Sequence, residues 1–562
     1  MTPPDPTHKK SPNMKKTILL MTAWLSAVLC CAQKSENHHS SLMRNLETFT
    51  EIYRQLDLLY MDSLNTDTVM TWGINAMLRQ VDPYTVYYPE DDDELMAMAQ
   101  GKYAGIGSII RFHKKEDRVV ISEPYKGSPS DLAGLKAGDV ILSIDDKDVK
   151  GMKNAAVSQM LRGEAGTTFK LQIQRPGEKK PRSLTITRQT ISIPHVPYYG
   201  MVEKGIGYLY LTGFTEGDAQ QVRSALMEMK EEGAQSLILD LRDNGGGSME
   251  ESIDIANLFL PKGTQIVYTR GKTHASNREY YTRMEPVDTV MPVVVLVDGG
   301  TASAAEILSG SLQDMDRAVV VGSRTYGKGI VQSIRPLPYG GNLKITTSRY
   351  YIPSGRCIQA YDYRHLNPDG SAKSLPDSLT HLFHTRGGRE VRDGGGIQPD
   401  IVITPDTLPT IVYDLADSDA LFDFCTQYVQ RHDTIAAPGT FRLTDEEYEE
   451  FIDFVSQQGF TYNRRSDEVL KLLREIATRE GYMEGARAEF EALQAKLTGN
   501  LRNDMLHSRK EIEAYVADNI VRRYYYEWGG CRQQLCGDKT IKKALEVLGH
   551  PQEYHRILGN HY

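Results

Sequence analysis

Short apolar runs alternate with helical patterns in the middle of the chain, over residues 192–404. The runs are rich in valine, isoleucine and leucine, which predicts buried strands. They lie at Gly205–Leu211, Ser236–Leu241, Pro292–Val297 and Ala318–Val321. Helical patterns follow the first three, at Ala219–Glu232, at Met249–Leu260 and in the stretch GGTASAAEILSGSLQD from Gly299 to Asp314. Strands that alternate with helices predict an α/β domain.

The flanking segments have different patterns. Apolar residues at helical spacing, such as Leu46, Phe49 and Ile52, predict an N-terminal helical cap over residues 41–98. Residues 99–191 alternate short strands with short helices. Residues 405–562 are charged and amphipathic, which predicts a helical C-terminal region. Its clearest helices are predicted at Asp445–Gln458, Ser466–Glu480 and Ala486–Leu497.

Composition narrows the classes of partner. The chain has 562 residues, enough for several domains, and a formal net charge of −9. A protein with this net charge lacks the overall basic surface that attracts nucleic acid, so no nucleic-acid partner is expected. The polar, glycine-rich stretch 360–393 is predicted to be a surface insertion in the α/β domain.

Residues 1–32 have the pattern of a secretory signal peptide. Lys15 and Lys16 precede an apolar run over residues 17–29, and Cys30-Cys31-Ala32 follows. Cleavage after Ala32 predicts an exported protein of the periplasm or cell envelope, and a lipid anchor at Cys31 is the alternative. The run is shorter than a typical transmembrane helix, and no later stretch is long and apolar enough to cross a bilayer.

Cysteine and histidine patterns do not indicate a metal site. Cys531 and Cys536 are close enough in sequence to pair in an oxidising compartment, but spacing alone leaves their pairing open. Two cysteines do not make a zinc site, and no HExxH sequence occurs. No metal and no cofactor is expected.

Ser303 is the first candidate for chemistry. It lies where the predicted strand Pro292–Val297 turns, through Gly299-Gly300, into a helix. The unpaired N–H groups and the dipole of a helix start favour negative charge, which suits a nucleophile whose attack creates an oxyanion. Serine is also a favoured N-cap, so this segment alone leaves a purely structural role open.

Two glycine-containing segments could complete such a site. Arg242-Asp-Asn-Gly-Gly-Gly247 follows the strand Ser236–Leu241 and exposes backbone N–H groups that suit an oxyanion hole. A phosphate cradle is a weak alternative, because no P-loop Lys-Ser/Thr follows. Lys328 lies between two glycines. If the segment from Lys328 to Gln332 were extended, the side chains of these two residues would lie on the same face of it.

Residues 99–191 resemble a PDZ domain, most strongly in the run AGLKAGDVILSID. Such a module binds an extended peptide by adding it to a sheet edge. Gly105, Ile106 and Gly107 form the candidate nest for the peptide's terminal carboxylate, because glycine lets backbone amides converge. A plain glycine turn is the alternative.

An ordered set of motifs resembles the C-terminal processing peptidases, or tail-specific proteases. The motifs are VDPYT, YAGIG, AGLKAGD, LDLRDNGGG, GGTASAAEI, GKGIVQ, YYIPSGRCIQ and GGGIQPDI, and they cover residues from Leu46 to Ile403. The resemblance implies a crotonase-like α/β protease core over residues 192–404 with an inserted PDZ domain. The insertion 360–393 and the long helical tail depart from the family pattern.

The resemblance also implies roles for individual residues. Ser303 would be the nucleophile, Lys328 the general base and Gln332 the residue that orients the lysine. The N–H of Ala304 and one from Gly246 or Gly247 would form the oxyanion hole. An exposed lysine is protonated at neutral pH, so Lys328 can act as a base only if burial disfavours its ammonium form.

Two functions of different classes remain at this stage. The first is a serine endopeptidase that recognises C-terminal tails of proteins through its PDZ domain and cleaves through a Ser-Lys acyl-enzyme. The second is a catalytically silent peptide-binding scaffold in the cell envelope. The helical C-terminal region is a candidate for self-association in either case.

Overall fold

A computed structural model describes residues 39–89, 102–367, 372–497 and 499–559. The chain divides into two compact units, Met1–Pro89 and Glu90–Tyr562. The predicted signal peptide lies outside the described residues, and so does the end of the predicted N-terminal cap.

The described residues of the first unit, 39–89, form two helices and a short strand. Residues 39–59 are helical, and the helix Thr66–Arg79 and the strand Val86–Tyr88 follow. Asn65 caps the second helix, because its side chain accepts the N–H of Thr68 at 2.9 Å. The apolar positions that predicted the first helix are solvent-exposed, between 38% and 56%, at Leu46, Phe49, Ile52 and Leu56.

An antiparallel domain opens the second unit. Its main sheet has the strand order Ser108–His113, Arg118–Pro124, Val140–Ile144, Thr168–Gln174 and Arg182–Thr187. Two helices, Pro129–Leu132 and Asn154–Leu161, cover it. Lys102–Gly105 pairs with Gln189–Ser192, so the two ends of the domain meet. The succession of strands and helices is that of the predicted PDZ domain.

The next domain is built on a mainly parallel sheet, as the alternating pattern predicted. Its strand order is Tyr198–Glu203, Ile206–Tyr210, Ser236–Asp240, Val293–Val297, Val319–Gly322 and Ile401–Val402. The first pair is antiparallel and the others are parallel. Asp218–Glu231, Met249–Ala256 and Ala304–Asp314 are its helices. Leu239, Val295 and Leu308 belong to one core cluster of this domain and are fully buried.

A second, antiparallel sheet carries the segment after Lys328. Its strand order is Ile330–Pro336, Asn342–Tyr351, Gln265–Gly271 and Arg278–Tyr281. The predicted insertion forms two hairpins. They consist of Tyr361–Leu366 with Ala372–Ser374, and of Leu382–His384 with Glu390–Arg392.

The C-terminal region is helical, as predicted. Its helices are Thr410–Ala416, Asp419–Arg431, Asp445–Gln457, Arg465–Arg479, Met483–Leu497, Leu501–His507, Arg509–Gln534, Lys539–Gly549 and Pro551–Ile557. Phe424, Phe451 and Val516 are buried in its own core. None of the described helices has the length and apolar content that crossing a membrane requires.

The last two helices do not share that core. Ile541 and Val547 pack instead with Val294 and Val321 of the parallel sheet. Alternate residues of a strand face opposite sides, so these helices cover the face of the sheet that the α/β helices leave open. The sequence pattern predicted a helical C-terminal region but not the surface that its last two helices cover.

Candidate active site

Ser303 lies in a strained turn between a buried strand and a helix. Its backbone has φ 57° and ψ −115°, a region that non-glycine residues rarely occupy. The Asp298 carboxylate holds the turn, because it accepts the N–H groups of Gly300 at 2.9 Å and Thr301 at 3.1 Å. The Thr301 hydroxyl donates to the carbonyl of Leu241 at 2.8 Å, which ties the turn to the neighbouring strand.

Glu306 joins the segments that carry Ser303 and Lys328. Its Oε2 accepts the backbone N–H of Ser303 at 2.9 Å and that of Lys328 at 2.9 Å. Its Oε1 accepts the Thr325 hydroxyl at 2.5 Å and the N–H of Gly327 at 2.7 Å. The main-chain N–H groups of Ser303 and Lys328 therefore both donate to the same oxygen of Glu306.

The Glu306 carboxyl is fully buried, and its four partners are all donors. Burial raises its pKa, and the hydrogen bonds from Thr325, Lys328, Ser303 and Gly327 oppose that rise. The ionised form satisfies every donor, so a carboxylate fits this cage better than a carboxylic acid. Glu306 contacts the main chain of Lys328, so it holds the lysine loop in place.

Tyr350 makes a second connection between the same two segments. Its hydroxyl lies 3.1 Å from the carbonyl of Ser303 and 2.7 Å from that of Lys328. Burial raises the pKa of Tyr350 well above its ordinary value, so the phenol stays neutral and remains a donor. The sequence did not single out Tyr350. Its place in the YYIPSGRCIQ motif was the available signal.

Lys328 and Gln332 meet through their side chains. Lys328 Nζ lies 3.4 Å from Gln332 Oε1, and both residues are partly buried. Lys328 precedes the strand Ile330–Pro336, and a bulge interrupts the ladder between Val331 and Gln332. A bulge therefore interrupts the segment whose extended form the sequence pattern took as the condition for this contact.

The glycines beside Lys328 allow close packing of its loop. A Cβ on Gly327 would lie 2.3 Å from the Cβ of Ala360, and one on Gly329 would lie 2.6 Å from the backbone N of Gln359. The Gln359 side chain accepts the N–H of Gly329 at 2.8 Å. Gln359 thus fixes the lysine loop, a role that no sequence pattern indicated.

The three-glycine segment packs directly on Ser303. A Cβ on Gly246 would lie 2.8 Å from the Ser303 Cβ and 3.0 Å from the backbone N of Ala304. The N–H of Gly246 donates to the Asn244 side chain at 2.9 Å. The N–H groups of Ala304 and Gly247 donate no hydrogen bond to any acceptor within residues 102–367.

Asn244 positions this segment, and the sequence analysis did not identify it. It is fully buried, and its Nδ2 donates to the carbonyl of Leu211 at 2.8 Å. Its own carbonyl accepts the N–H of Ala302 at 2.9 Å. One side chain and its main chain therefore connect a core strand, the glycine segment and the nucleophile turn.

The candidate carboxylate nest lies at one end of a groove in the PDZ domain. Gly105 ends the strand Lys102–Gly105, and Gly107 has a positive φ of 73°. Ile106 lines the groove together with Tyr103 and Leu161, and the groove has a volume of about 310 Å³. The Gly107 carbonyl accepts hydroxyl hydrogen bonds at 2.9 Å from Ser128 and 2.7 Å from Ser130.

Other polar groups do not form a second catalytic set around Ser303. His195 Nδ1 lies 2.8 Å from Asp218 and 3.1 Å from the Thr215 hydroxyl, and no hydrogen bond links this pair to Ser303 within residues 102–367. Asp240 and Arg242 form an ion pair. Cys531 and Cys536 are both free thiols and no disulfide joins them. In the described part of the chain, no group of three or more His, Cys, Asp or Glu side chains is placed to hold a metal ion.

Known proteins resemble this chain over most of its length. The model of "Peptidase family S41" matches residues 205–372, that of "PDZ domain" matches 120–175, and that of "Probable PDZ-protease, C-terminal helical domain" matches 411–548. A "Carboxy-terminal-processing protease" of Bartonella bacilliformis is 33% identical over 389 residues, which are 67% of this chain and 88% of that protein. A "Carboxyl-terminal-processing protease" of a Synechocystis species is 37% identical, over 50% of this chain and 66% of that protein.

Proposed function

Because the chain belongs to the carboxy-terminal processing proteases and is a serine-type peptidase with a PDZ domain, we propose that it cleaves proteins whose C-terminal tails dock on that domain. The observation that carries the proposal is the double connection between the main chains of Ser303 and Lys328, through Glu306 and Tyr350.

Ser303 and Lys328 act as nucleophile and general base in this proposal. The neutral amine of Lys328 takes the hydroxyl proton while the Ser303 Oγ attacks the scissile carbonyl carbon. The same proton then passes to the leaving amine as the C–N bond breaks, which leaves an acyl-enzyme. Water, activated by the lysine, hydrolyses the ester and restores Ser303. The Gln332 side chain orients the lysine amine.

Two backbone donors stabilise the oxyanion in this proposal. Ala304 supplies the first N–H, at the positive end of the helix Ala304–Asp314. The sequence left Gly246 and Gly247 open for the second. Gly247 is the better candidate, because the N–H of Gly246 is already bonded to Asn244. Gly246 then serves to bring the glycine segment against Ser303.

Tail recognition rests on the groove beside Gly105, Ile106 and Gly107. The groove runs along the strand Ser108–His113, to which an extended peptide could add as a further strand. A tail bound in this way would place its terminal carboxylate at the glycine turn. Its apolar side chains would meet Ile106 and Leu161.

A pair of matched peptides tests this function. We expect the wild-type protein to cleave a reporter peptide with an apolar C-terminal tail and a free carboxylate. The same peptide with an amidated terminus should be cleaved at least about tenfold more slowly, because the nest recognises the charge. Ser303→Ala should cleave neither peptide. Cleavage by Ser303→Ala would refute the mechanism, and equal cleavage of both peptides would refute tail recognition.

We further propose export to the periplasm or cell envelope and self-association through the helical C-terminal region. The basic residues and apolar run before Cys30-Cys31-Ala32 support export. Mass spectrometry of the mature N-terminus tests it. A chain that begins at Gln33 supports export, and one that retains residues 1–32 contradicts it.

A further inference from the structure

The helical C-terminal region carries a projecting hairpin with an exposed apolar face. The helices Arg465–Arg479 and Met483–Leu497 pack on each other. Of the residues described in these two helices, Ala477 alone is buried. Four large side chains of the first helix are between 41% and 56% exposed, and we call them the apolar stripe: Val469, Leu472, Leu473 and Ile476.

The apolar stripe lies on one face of its helix. Residues three and four apart are neighbours on a helix surface, so the spacing of these four residues places them together. A continuous exposed apolar face marks a site of association rather than ordinary surface. Within the described chain, no element buries any of these four side chains completely.

Charged residues extend the face at both ends. Arg465 lies one turn before Val469, and Glu480 lies one turn after Ile476. Glu468 and Arg479 lie beside the same face. None of these four charged residues forms an ion pair within the described parts of the chain, although Arg464 pairs with Asp467 nearby.

The face of this helix is complementary to the same face of a second, antiparallel copy. If two copies of the helix run antiparallel about a point between Leu472 and Leu473, Val469 faces Ile476 of the second copy. Leu472 then faces Leu473, and Arg465 faces Glu480. A two-fold axis makes each contact twice, so one patch serves both sides. A parallel pair about a two-fold axis would instead place Arg465 against Arg465.

We propose that the apolar stripe binds the same stripe of a second copy of this chain, so that the protein forms an antiparallel two-fold dimer through its hairpin. Four apolar residues per copy supply the attraction, and the charges at the ends set the direction and the register. The proposal does not depend on the catalytic assignment.

The first test compares molar mass in solution. Size-exclusion chromatography with light scattering should give a concentration-dependent dimer for the full chain. Leu472→Glu with Leu473→Glu should give a monomer whose circular dichroism is unchanged. Val290→Glu, at a residue 84% exposed elsewhere, is the matched control and should remain dimeric. A wild-type monomer at all concentrations would overturn the proposal, and so would a dimer that is insensitive to the double substitution.

The second test checks the direction of pairing. Arg465→Glu and Glu480→Arg should each raise the dimer dissociation constant about tenfold, because each replaces two attractions with two repulsions. The double variant should return it to within about threefold of wild type, because the reversed charges again face each other. Additive weakening in the double variant would overturn the antiparallel register. Flotation of the monomeric chain with phosphatidylglycerol vesicles would overturn the dimer in favour of a membrane surface.

Discussion

At the residue scale, the site depends on a serine held in an unfavourable backbone conformation. A non-glycine residue at φ 57° costs about 1–3 kcal/mol. The buried Glu306 carboxylate offsets this cost by accepting the Ser303 N–H, and it fixes the lysine loop through the same oxygen. The strain is therefore coupled to the placement of the second catalytic group.

Gly246 gives a prediction at this scale. A methyl group there would lie 2.8 Å from the Ser303 Cβ, at a φ of 97° that side chains rarely adopt. We expect Gly246→Ala to lower kcat/KM at least about 100-fold, because the donors beside Ser303 must move. Gly245→Ala is the control, because no heavy atom lies within 4 Å of its added Cβ. Equal activity of the two variants in the peptide assay would contradict this geometry.

At the scale of elements, the helix Ala304–Asp314 is fixed at both ends. Glu306 connects its start to the lysine loop. At its end, Asp314 Oδ1 accepts from Arg356 Nη2 at 2.8 Å, and both side chains are buried. Burial raises the pKa of Asp314, and the Arg356 charge opposes that rise. Arg356 lies in the segment that leads to Gln359, so the pair connects the helix to the segment that holds the lysine loop.

Arg356 should therefore be important for stability. Arg356→Met leaves the Asp314 carboxyl buried without its partner, and we expect it to lower the free energy of unfolding by about 3–5 kcal/mol. Asp314→Leu with Arg356→Met should cost less than the sum of the two single changes, because no charge remains uncompensated. Urea unfolding measures all three variants. Additive costs would show that the pair is not coupled.

The sequence predicted the elements of this scale well where apolar runs define them. The predicted strand Pro292–Val297 is observed as Val293–Val297, because a short apolar run of mainly β-branched residues favours a buried strand. The helix predicted to end at Leu260 ends at Ala256. There the Asn257 side chain accepts the N–H groups of Arg283 and Met284, a distant contact that periodicity does not contain.

The contacts of the site were less predictable for the same reason. Ser303, Lys328 and Gln332 stand out as motif residues. The segments that carry Ser303 and Lys328 are held by Tyr350, and the lysine loop is also held by Gln359, and both of these residues are distant in sequence. Asn244 was visible only as part of a glycine-rich segment. Its hydrogen bond to Leu211 exists only once the sheet has formed.

At the scale of the molecule, the PDZ domain is docked on the helical C-terminal region. His113 Nε2 lies 3.0 Å from Asp423. The guanidinium groups of Arg111 and Arg523 lie 5.0 Å and 4.9 Å from the centre of the Phe422 ring. Glu123, beside the peptide groove, lies 3.8 Å from Arg522 of the long helix Arg509–Gln534. Charged groups at this junction therefore make the docking sensitive to pH.

Glu123 sets the sign of that sensitivity. Burial raises its pKa from 4.5 to about 7, and Arg522 opposes the rise. Between pH 4.5 and pH 7 the folded protein keeps a proton on Glu123 that the unfolded chain loses. The contribution of Glu123 to the free energy of unfolding is therefore full below pH 4.5 and declines as pH rises towards 7. At pH 7.5 we expect Glu123→Gln to be more stable than wild type by about 2–3 kcal/mol, and at pH 4.5 to be equal.

Unfolding at several pH values checks this expectation. Glu164→Gln, at an exposed residue of the same domain, is the control and should keep the wild-type pH dependence. An identical pH dependence in Glu123→Gln would show that this carboxyl does not titrate at the junction.

The most direct test of the central claim is the rate at which a fluorophosphonate labels Ser303, followed by mass spectrometry in wild type and in Lys328→Met. If Lys328 is the base for Ser303, wild type is labelled at Ser303 alone and the substitution slows labelling at least about 100-fold while the fold is kept. Labelling of Lys328→Met at the wild-type rate, or of a different residue in wild type, would contradict it.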